Sequence, residues 1–103
     1  MSQWVTTIIA YAKVHRKPVS FPEWGLASRK DGHGGNDDPA FVKHVHDLIA
    51  VQLNFIYWNV YFDVWAGDGN HLIWGDLTGE GPTKFPLSAA LFKQLFGKPQ
   101  SRK

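Results

Sequence analysis

The chain contains no cysteine, so it has neither a disulfide framework nor thiolate chemistry. Charged residues are also scarce, at 19% of 103 positions, and the formal net charge at pH 7 is only +2. With 44% apolar residues, this composition predicts one small folded domain rather than a disordered segment. We assign that domain to residues 1–97 and interpret 98–103, which holds three basic residues, as a solvated basic tail.

The absence of certain motifs excludes several classes of partner. No apolar run reaches the length of about 20 residues that a membrane-spanning helix needs, and no export signal is visible. No basic stripe suited to a phosphate backbone is present, so we expect neither a nucleic-acid partner nor a membrane partner. The glycine-rich stretch 32–35 lacks the lysine and the flanking strand and helix of a nucleotide-binding loop, and we expect no cofactor.

Aromatic residues, in contrast, are abundant. They make up 15% of the chain and include five tryptophans. Such a content fits either a large aromatic core or a surface that stacks on flat ligands such as sugar rings.

Helical periodicity occurs in three places. Residues 3–15 and 39–52 repeat apolar side chains every three or four positions, and a third helix opens at Phe85-Pro86 and ends at Gly97. The second helix begins at Asp38-Pro39, where the aspartate is a good N-cap and the proline suits the first turn.

Two segments between these helices have the pattern of strands. Residues 19–23 are extended, and 55–62 are aromatic and β-branched with apolar character on both faces, which is typical of a parallel strand covered on both sides. Residues 25–38 and 64–83 read as loops, with a short extra strand predicted at 71–74. The order helix, strand, helix, strand, helix predicts an α/β fold built on βαβ units.

Two parallel strands do not make a stable sheet by themselves, because such sheets need cover on both faces and neighbours at both edges. The sequence therefore predicts either a part of a larger structure or a chain that associates with itself through its exposed strand edges.

The segment Lys17–Gly25, which reads Lys-Pro-Val-Ser-Phe-Pro-Glu-Trp-Gly, resembles glycoside hydrolase family 26, the β-mannanase-like family. The similarity continues in chain order through 34–41, 57–62 and 85–97, which look like the start of the seventh helix, the eighth strand and the last helix of that family's (β/α)8 barrel. Residues 3–15 would then be the sixth helix. The resemblance implies the C-terminal quarter of a barrel whose full length is about 250 residues.

The resemblance also implies an activity. Members of the family are retaining hydrolases, and the nucleophilic glutamate at the end of their seventh strand corresponds to Glu23. The expected substrate is a β-linked polysaccharide such as mannan, cut by endo attack, and the parent family is secreted or periplasmic. Retaining hydrolysis needs a second carboxyl group about 5 Å from the first. The family's acid/base glutamate has no counterpart here, because Glu80 matches no family motif, and we expect the isolated chain to be inactive.

Three tryptophans are candidate sugar contacts. Trp58, in the strand that resembles the eighth, is either a platform for the sugar beside Glu23 or a core residue against the last helix. Trp65 lies in the following loop, where it either lines an outer subsite or pins the loop. Trp24 is the third candidate, and packing is the favoured interpretation of that ring.

A metal site is not expected. Asp31, Asp37 and Asp38, with His33 nearby, do not have the spacing of a calcium loop. His44 and His46 are two positions apart on a helix and cannot share a face, so both are interpreted as surface residues. The alternative to an enzyme fragment is a non-catalytic remnant or a carbohydrate-binding or interaction module that uses the same aromatic surface.

Overall fold

The predicted mixed α/β class is confirmed by a computed structural model, which describes residues 2–52 and 55–97. The predicted helices and the two predicted main strands follow one another in the expected order, with three further short strands between them. The basic tail predicted at 98–103 lies outside these residues. The three helices are α1 (Ser2–Val14), α2 (Pro39–Val51) and α3 (Pro86–Phe96). The five strands are β1 (Val19–Trp24), β2 (Ser28–Arg29), β3 (Ile56–Tyr61), β4 (Trp65–Ala66) and β5 (Gly69–Asn70). No helix within the described ranges is long and apolar enough to cross a membrane.

The main sheet consists of β1 and β3, which run parallel and are connected through α2. Its register is irregular in two places. β3 carries an extra residue between the partners of Val19 and Ser20, and β1 carries an extra residue between Phe21 and Trp24. Each extra residue acts as a bulge that resets which side chains face the helices.

The paired residues that face the helices are Val19 with Ile56, Phe21 with Asn59, and Trp24 with Tyr61. Ser20 and Trp58 form the pair that points to the other side.

All three helices pack on one face of this sheet. Ile9 of α1, Val45 of α2 and Phe96 of α3 contact the same cluster, which contains the strand residues Val19 and Ile56. A second cluster continues the core toward the strand ends and consists of Leu26, Val42, Ile73, Phe85 and Ala89.

The expectation that β3 is covered on both sides is wrong. Trp58 is 53% exposed, and Val60 on the same face is exposed as well. The reason is that the helices form a single layer, so the second face of the strand has no cover among the described residues.

A second, three-stranded antiparallel sheet forms where the sequence predicts loops. β5 lies in its centre, with β2 on one side and β4 on the other. The strand predicted at 71–74 is wrong, because the pairing ends at Asn70 and the amides of Leu72 and Ile73 donate to the side chains of Asn70 and Asp63 instead. This small sheet joins the loop that follows β1 to the loop that follows β3.

Two aspartates cap helices. The predicted N-cap is confirmed, since Asp38 Oδ1 accepts the amide of Phe41 at 3.1 Å. Its neighbour Asp37 caps a different helix, α3, and accepts the amides of Leu87 at 3.0 Å and Ser88 at 2.9 Å. Burial alone would raise the pKa of Asp37, but the hydrogen bonds from Ser88 and Leu87 lower it overall. This carboxylate therefore ties the loop after β1 to the last helix.

Candidate functional site

Glu23 occupies the last but one position of β1, beside the end of the parallel strand β3. Its side chain is exposed, and its carboxylate takes part in no hydrogen bond or ion pair among residues 2–52 and 55–97. The backbone that carries it is held by the strand pairing and by the bulge at Pro22-Glu23. The result is a free carboxylate on a fixed strand end, where active sites of parallel α/β structures collect.

A cleft of about 210 Å³ lies next to this carboxylate. Its walls come from the end of β1 and from the segment after β3, and they consist of Glu23, Trp24, Gly25, Phe62, Asp68 and His71. Sequence reasoning missed Phe62, Asp68 and His71. The only local signal is the Gly67-Asp68-Gly69-Asn70 stretch, whose composition marks a tight turn.

His71 joins the two sides of this cleft. Its Nδ1 lies 2.7 Å from the carbonyl oxygen of Leu26, and its Nε2 lies 3.1 Å from Oδ1 of Asp68. Both partners are acceptors, so both contacts are hydrogen bonds only when both ring nitrogens carry a hydrogen. The ring is buried and meets Phe62 edge to face at 5.2 Å.

Asp68 is the second carboxylate of the cleft. The hydrogen bond from His71 lowers the pKa of Asp68 most and outweighs the opposing effect of burial, and the charge of Arg29, whose Nη1 lies 3.3 Å away, adds a smaller lowering. A carboxyl group held ionised in this way is a hydrogen-bond acceptor and a poor proton donor. Asp68 is therefore poorly suited to act as a general acid.

Tyr61 connects the two segments that carry the cleft residues. Its hydroxyl donates to the carbonyl oxygen of His71 at 2.9 Å and accepts the amide of Leu26 at 3.2 Å. Burial is the main reason why the pKa of Tyr61 rises to about 12; the amide of Leu26 opposes this rise and the charge of Asp63 adds to it.

We predict that Tyr61→Phe lowers the free energy of unfolding by about 1–3 kcal/mol at neutral pH, because it leaves a buried amide and carbonyl without their partner. Because the pKa of the Tyr61 hydroxyl is raised, the protonated hydroxyl contributes its full stabilisation below pH 10. This contribution is lost between pH 10 and about 12. Denaturant unfolding at several pH values checks both points. Wild-type stability should fall more steeply than that of Tyr61→Phe across this window, and equal slopes would contradict the assignment.

Trp24 is a packed side chain, as favoured from the sequence. Its Nε1 donates to Oδ1 of Asn59 at 3.0 Å, and its ring lies within 6.1 Å, centroid to centroid, of four other aromatic rings. Those rings belong to Phe41, Tyr61, Phe92 and Phe96. Trp24 is therefore part of both the core and the lining of the cleft.

Trp58 and Trp65 lie away from the cleft. Trp58 pairs with Ser20, three residues before Glu23, which corresponds to roughly 10 Å along the strand. Its 53% exposure disfavours the alternative of a core residue against the last helix. Trp65 belongs to β4, pairs with Asn70 and is exposed. Both rings are therefore available to a ligand, but neither touches the wall beside Glu23.

The other residues considered as metal ligands have separate roles. Asp31 accepts from Arg29 at 2.8 Å and from the amide of His33, and these contacts hold the pKa of Asp31 well below its usual range. Asp37 and Asp38 are helix caps. Within the described residues, no three histidine, aspartate or glutamate side chains are grouped to hold a metal ion.

The two histidines of α2 differ from each other. His44 is exposed, as predicted, whereas His46 is partly buried and meets the ring of Phe96 edge to face at 5.1 Å. The prediction that both are surface residues is therefore wrong for His46, because α3 packs over it.

Comparison of the chain with models of protein families, with curated proteins and with solved structures found no match.

Proposed function

We propose that this chain is the C-terminal part of a retaining glycoside hydrolase barrel resembling family 26, with Glu23 as its nucleophile. The observation that carries the proposal is the free carboxylate of Glu23 at the C-terminal end of a parallel strand, beside a cleft of about 210 Å³ with aromatic walls. A carboxylate with no internal partner and a rigid backbone suits attack on a ligand better than a structural role.

The single layer of helices supports the barrel part of the proposal. In a doubly wound α/β sheet, helices cover both faces, whereas in a (β/α)8 barrel they all lie on the outer face. α1, α2 and α3 all pack on one face of β1 and β3, and Trp58 points to the other. In the proposed barrel, Trp58 would face the interior.

The residues of this chain would supply the nucleophilic step of the reaction and not the acid step. Glu23 would attack the anomeric carbon to form a glycosyl-enzyme, and Asp68, held ionised by His71 and Arg29, would accept a hydrogen bond from a sugar hydroxyl. Protonation of the leaving oxygen requires a carboxyl group that carries a proton, and the ionised Asp68 does not provide one. The proposed substrate is a β-linked polysaccharide such as mannan, met outside the cytoplasm by a secreted or periplasmic parent enzyme.

A second candidate is a carbohydrate-binding or interaction module without catalysis. The observation that favours it is the exposure of Trp58 and Trp65, because aromatic rings at a surface stack on sugar rings without any catalytic group.

Sugar binding is tested by electrophoresis of the purified chain in gels with and without soluble mannan or β-glucan. We expect mannan to retard the chain, and Trp58→Ala to weaken binding about 10-fold, which equals about 1.4 kcal/mol. Val51→Ala is the control, since Val51 is 79% exposed but lies at the end of α2, on the opposite side of the sheet from Trp58, and it should bind like the wild type. Equal mobility with and without either polysaccharide would contradict both candidates.

Catalysis is tested with an activated aryl β-mannoside, whose leaving group needs little acid assistance. Formation of a covalent glycosyl adduct that is detected by mass spectrometry and lost in Glu23→Gln would support the nucleophile. Sugar binding without any adduct would favour the non-catalytic module. Rapid turnover that survives Glu23→Gln would rule the assignment out.

A further inference from the structure

Helix α1 has two apolar faces, and among the residues that the structure describes only one of them packs inside the fold. Val5, Ile9 and Ala12 face the core. At 100° per residue, a second apolar stripe is centred roughly 120° around the helix. This outer stripe consists of Trp4, 78% exposed, Ile8, 54%, Tyr11, 67%, and Val14, 79%.

An apolar face of this kind is unusual on a helix in water. A helix that is hydrophobic on more than one side is normally buried on each of them. A contiguous exposed apolar patch of several hundred Å² typically marks an interaction site. The outer stripe contains no charged side chain, and its Tyr11 ring lies only 4.2 Å, centroid to centroid, from the ring of His15.

We infer that the outer stripe of α1 pairs with the same stripe of a second copy of this chain, in an antiparallel two-fold arrangement. The inference is independent of the proposed hydrolase function. It concerns a helix face rather than the strand edges from which self-association is expected on sequence grounds.

The available area fits a second copy. Aromatic side chains bury about 150–250 Å² each, so the outer stripe offers roughly 500 Å² per copy after allowance for its partial exposure. Two copies then bury about 1,000 Å² through the stripe alone. Flanking side chains such as Gln3 and Thr7 bring the total to the range of stable interfaces, which begins at about 1,200 Å².

The charges determine the direction of pairing. The segment from residue 1 to 22 has no acidic residue, and its cations lie together near the C-terminal end of α1, at Lys13, Arg16 and Lys17. A parallel pair would bring the two cationic ends together, which is unfavourable. An antiparallel pair separates them and also aligns the helix dipoles favourably. Such a pair places Ile8 near the two-fold axis and Trp4 against the partner's Tyr11.

Sedimentation velocity on the full chain tests the inference. We expect a mass of about 23 kDa at micromolar to millimolar concentration, twice the 11.6 kDa of one chain. Ile8→Lys should return the mass to that of one chain, whereas Leu77→Lys, at a leucine that is 65% exposed in a loop, should leave the pair intact. Circular dichroism confirms that each variant is folded. A wild-type monomer, a larger assembly, or an Ile8→Lys variant that stays paired would overturn the inference.

The direction of helix pairing is tested by introducing single cysteines, since the chain contains none of its own. In the antiparallel pair the two copies of residue 7 lie beside the axis, while the copies of residue 3 are roughly 14 Å apart along the helices, beyond disulfide reach. Thr7→Cys should therefore cross-link to the dimer mass under mild oxidation and Gln3→Cys should not. Cross-linking of Gln3→Cys, or no cross-linking of Thr7→Cys, would overturn the antiparallel arrangement.

Discussion

Replacement of Phe85 by alanine is expected to lower the free energy of unfolding by about 3–5 kcal/mol. Phe85 is 0% exposed and packs in the cluster that also contains Leu26 and Ile73. Truncation removes the whole ring from a site whose walls belong to three different parts of the chain, so the cavity cannot collapse easily. For a domain of this size, such a loss approaches the whole margin of stability.

The matched control is Leu87→Ala, two residues further along and 66% exposed. Its side chain contributes little to the core, and the change should stay within about 0.5 kcal/mol. Urea denaturation followed by circular dichroism at equal protein concentration measures both variants. A loss below about 1 kcal/mol for Phe85→Ala would mean that Phe85 does not anchor this cluster.

Phe85 also bears on the candidate site. Leu26 lies three residues after Glu23, and Ile73 lies two residues after His71, so the cluster holds the two segments that form the cleft. We therefore expect Phe85→Ala to distort the cleft before it disrupts the rest of the fold.

The helices could be predicted from the sequence because their signals are local. Asp38-Pro39 gives a cap and a first turn within two residues, and the structure begins α2 at Pro39. The apolar spacing of residues 3–15 likewise gives α1 to within a residue at each end. Such signals depend on neighbours three or four positions away, and the sequence displays them directly.

The walls of the cleft could not be predicted in this way. His71 meets the carbonyl of Leu26 across 45 positions, and Arg29 meets Asp68 across 39. These contacts depend on the pairing of β2 with β5. Each of these strands has two residues, which is too short for a periodic pattern in the sequence. Trp58 is exposed for a different reason: the extra residue in β3 turns it away from the helices, to the face that has no cover among the described residues.

For Glu23, the position in the strand could be predicted from the sequence, whereas the surroundings of its side chain could not. Its place at a strand end follows from the Phe21-Pro22-Glu23-Trp24 segment and is observed. The sequence does not predict the neighbouring carboxylate of Asp68, because the family resemblance implies a glutamate as the partner of Glu23. Asp68 accepts a hydrogen bond from His71, lies 3.3 Å from Arg29 and gives the cleft a second carboxyl group, so the cleft is more polar than its aromatic walls suggest.

Gly69→Ala is expected to have the second largest effect, a destabilisation of about 2–3 kcal/mol. Gly69 is buried in β5, and a Cβ there would collide with the carbonyl oxygen of Ser28 and lie 2.8 Å from the Cα of Arg29. Both atoms belong to the backbone of β2, so the clash cannot be relieved by a change of rotamer. The three-stranded sheet must open, and Arg29 then moves away from Asp68.

Gly67→Ala provides a matched control in the same turn. A Cβ at Gly67 meets nothing within 4 Å, and the change should be close to neutral. Denaturant unfolding measures the difference in stability, and amide hydrogen exchange locates it. In Gly69→Ala, the amides of Lys30 and His71, which donate to the carbonyls of Asp68 and Val64, should lose protection first. Equal stability of the two alanine variants would show that β2 and β5 are not in close contact, and the cleft beside Glu23 would then lack the wall that contains Asp68 and His71.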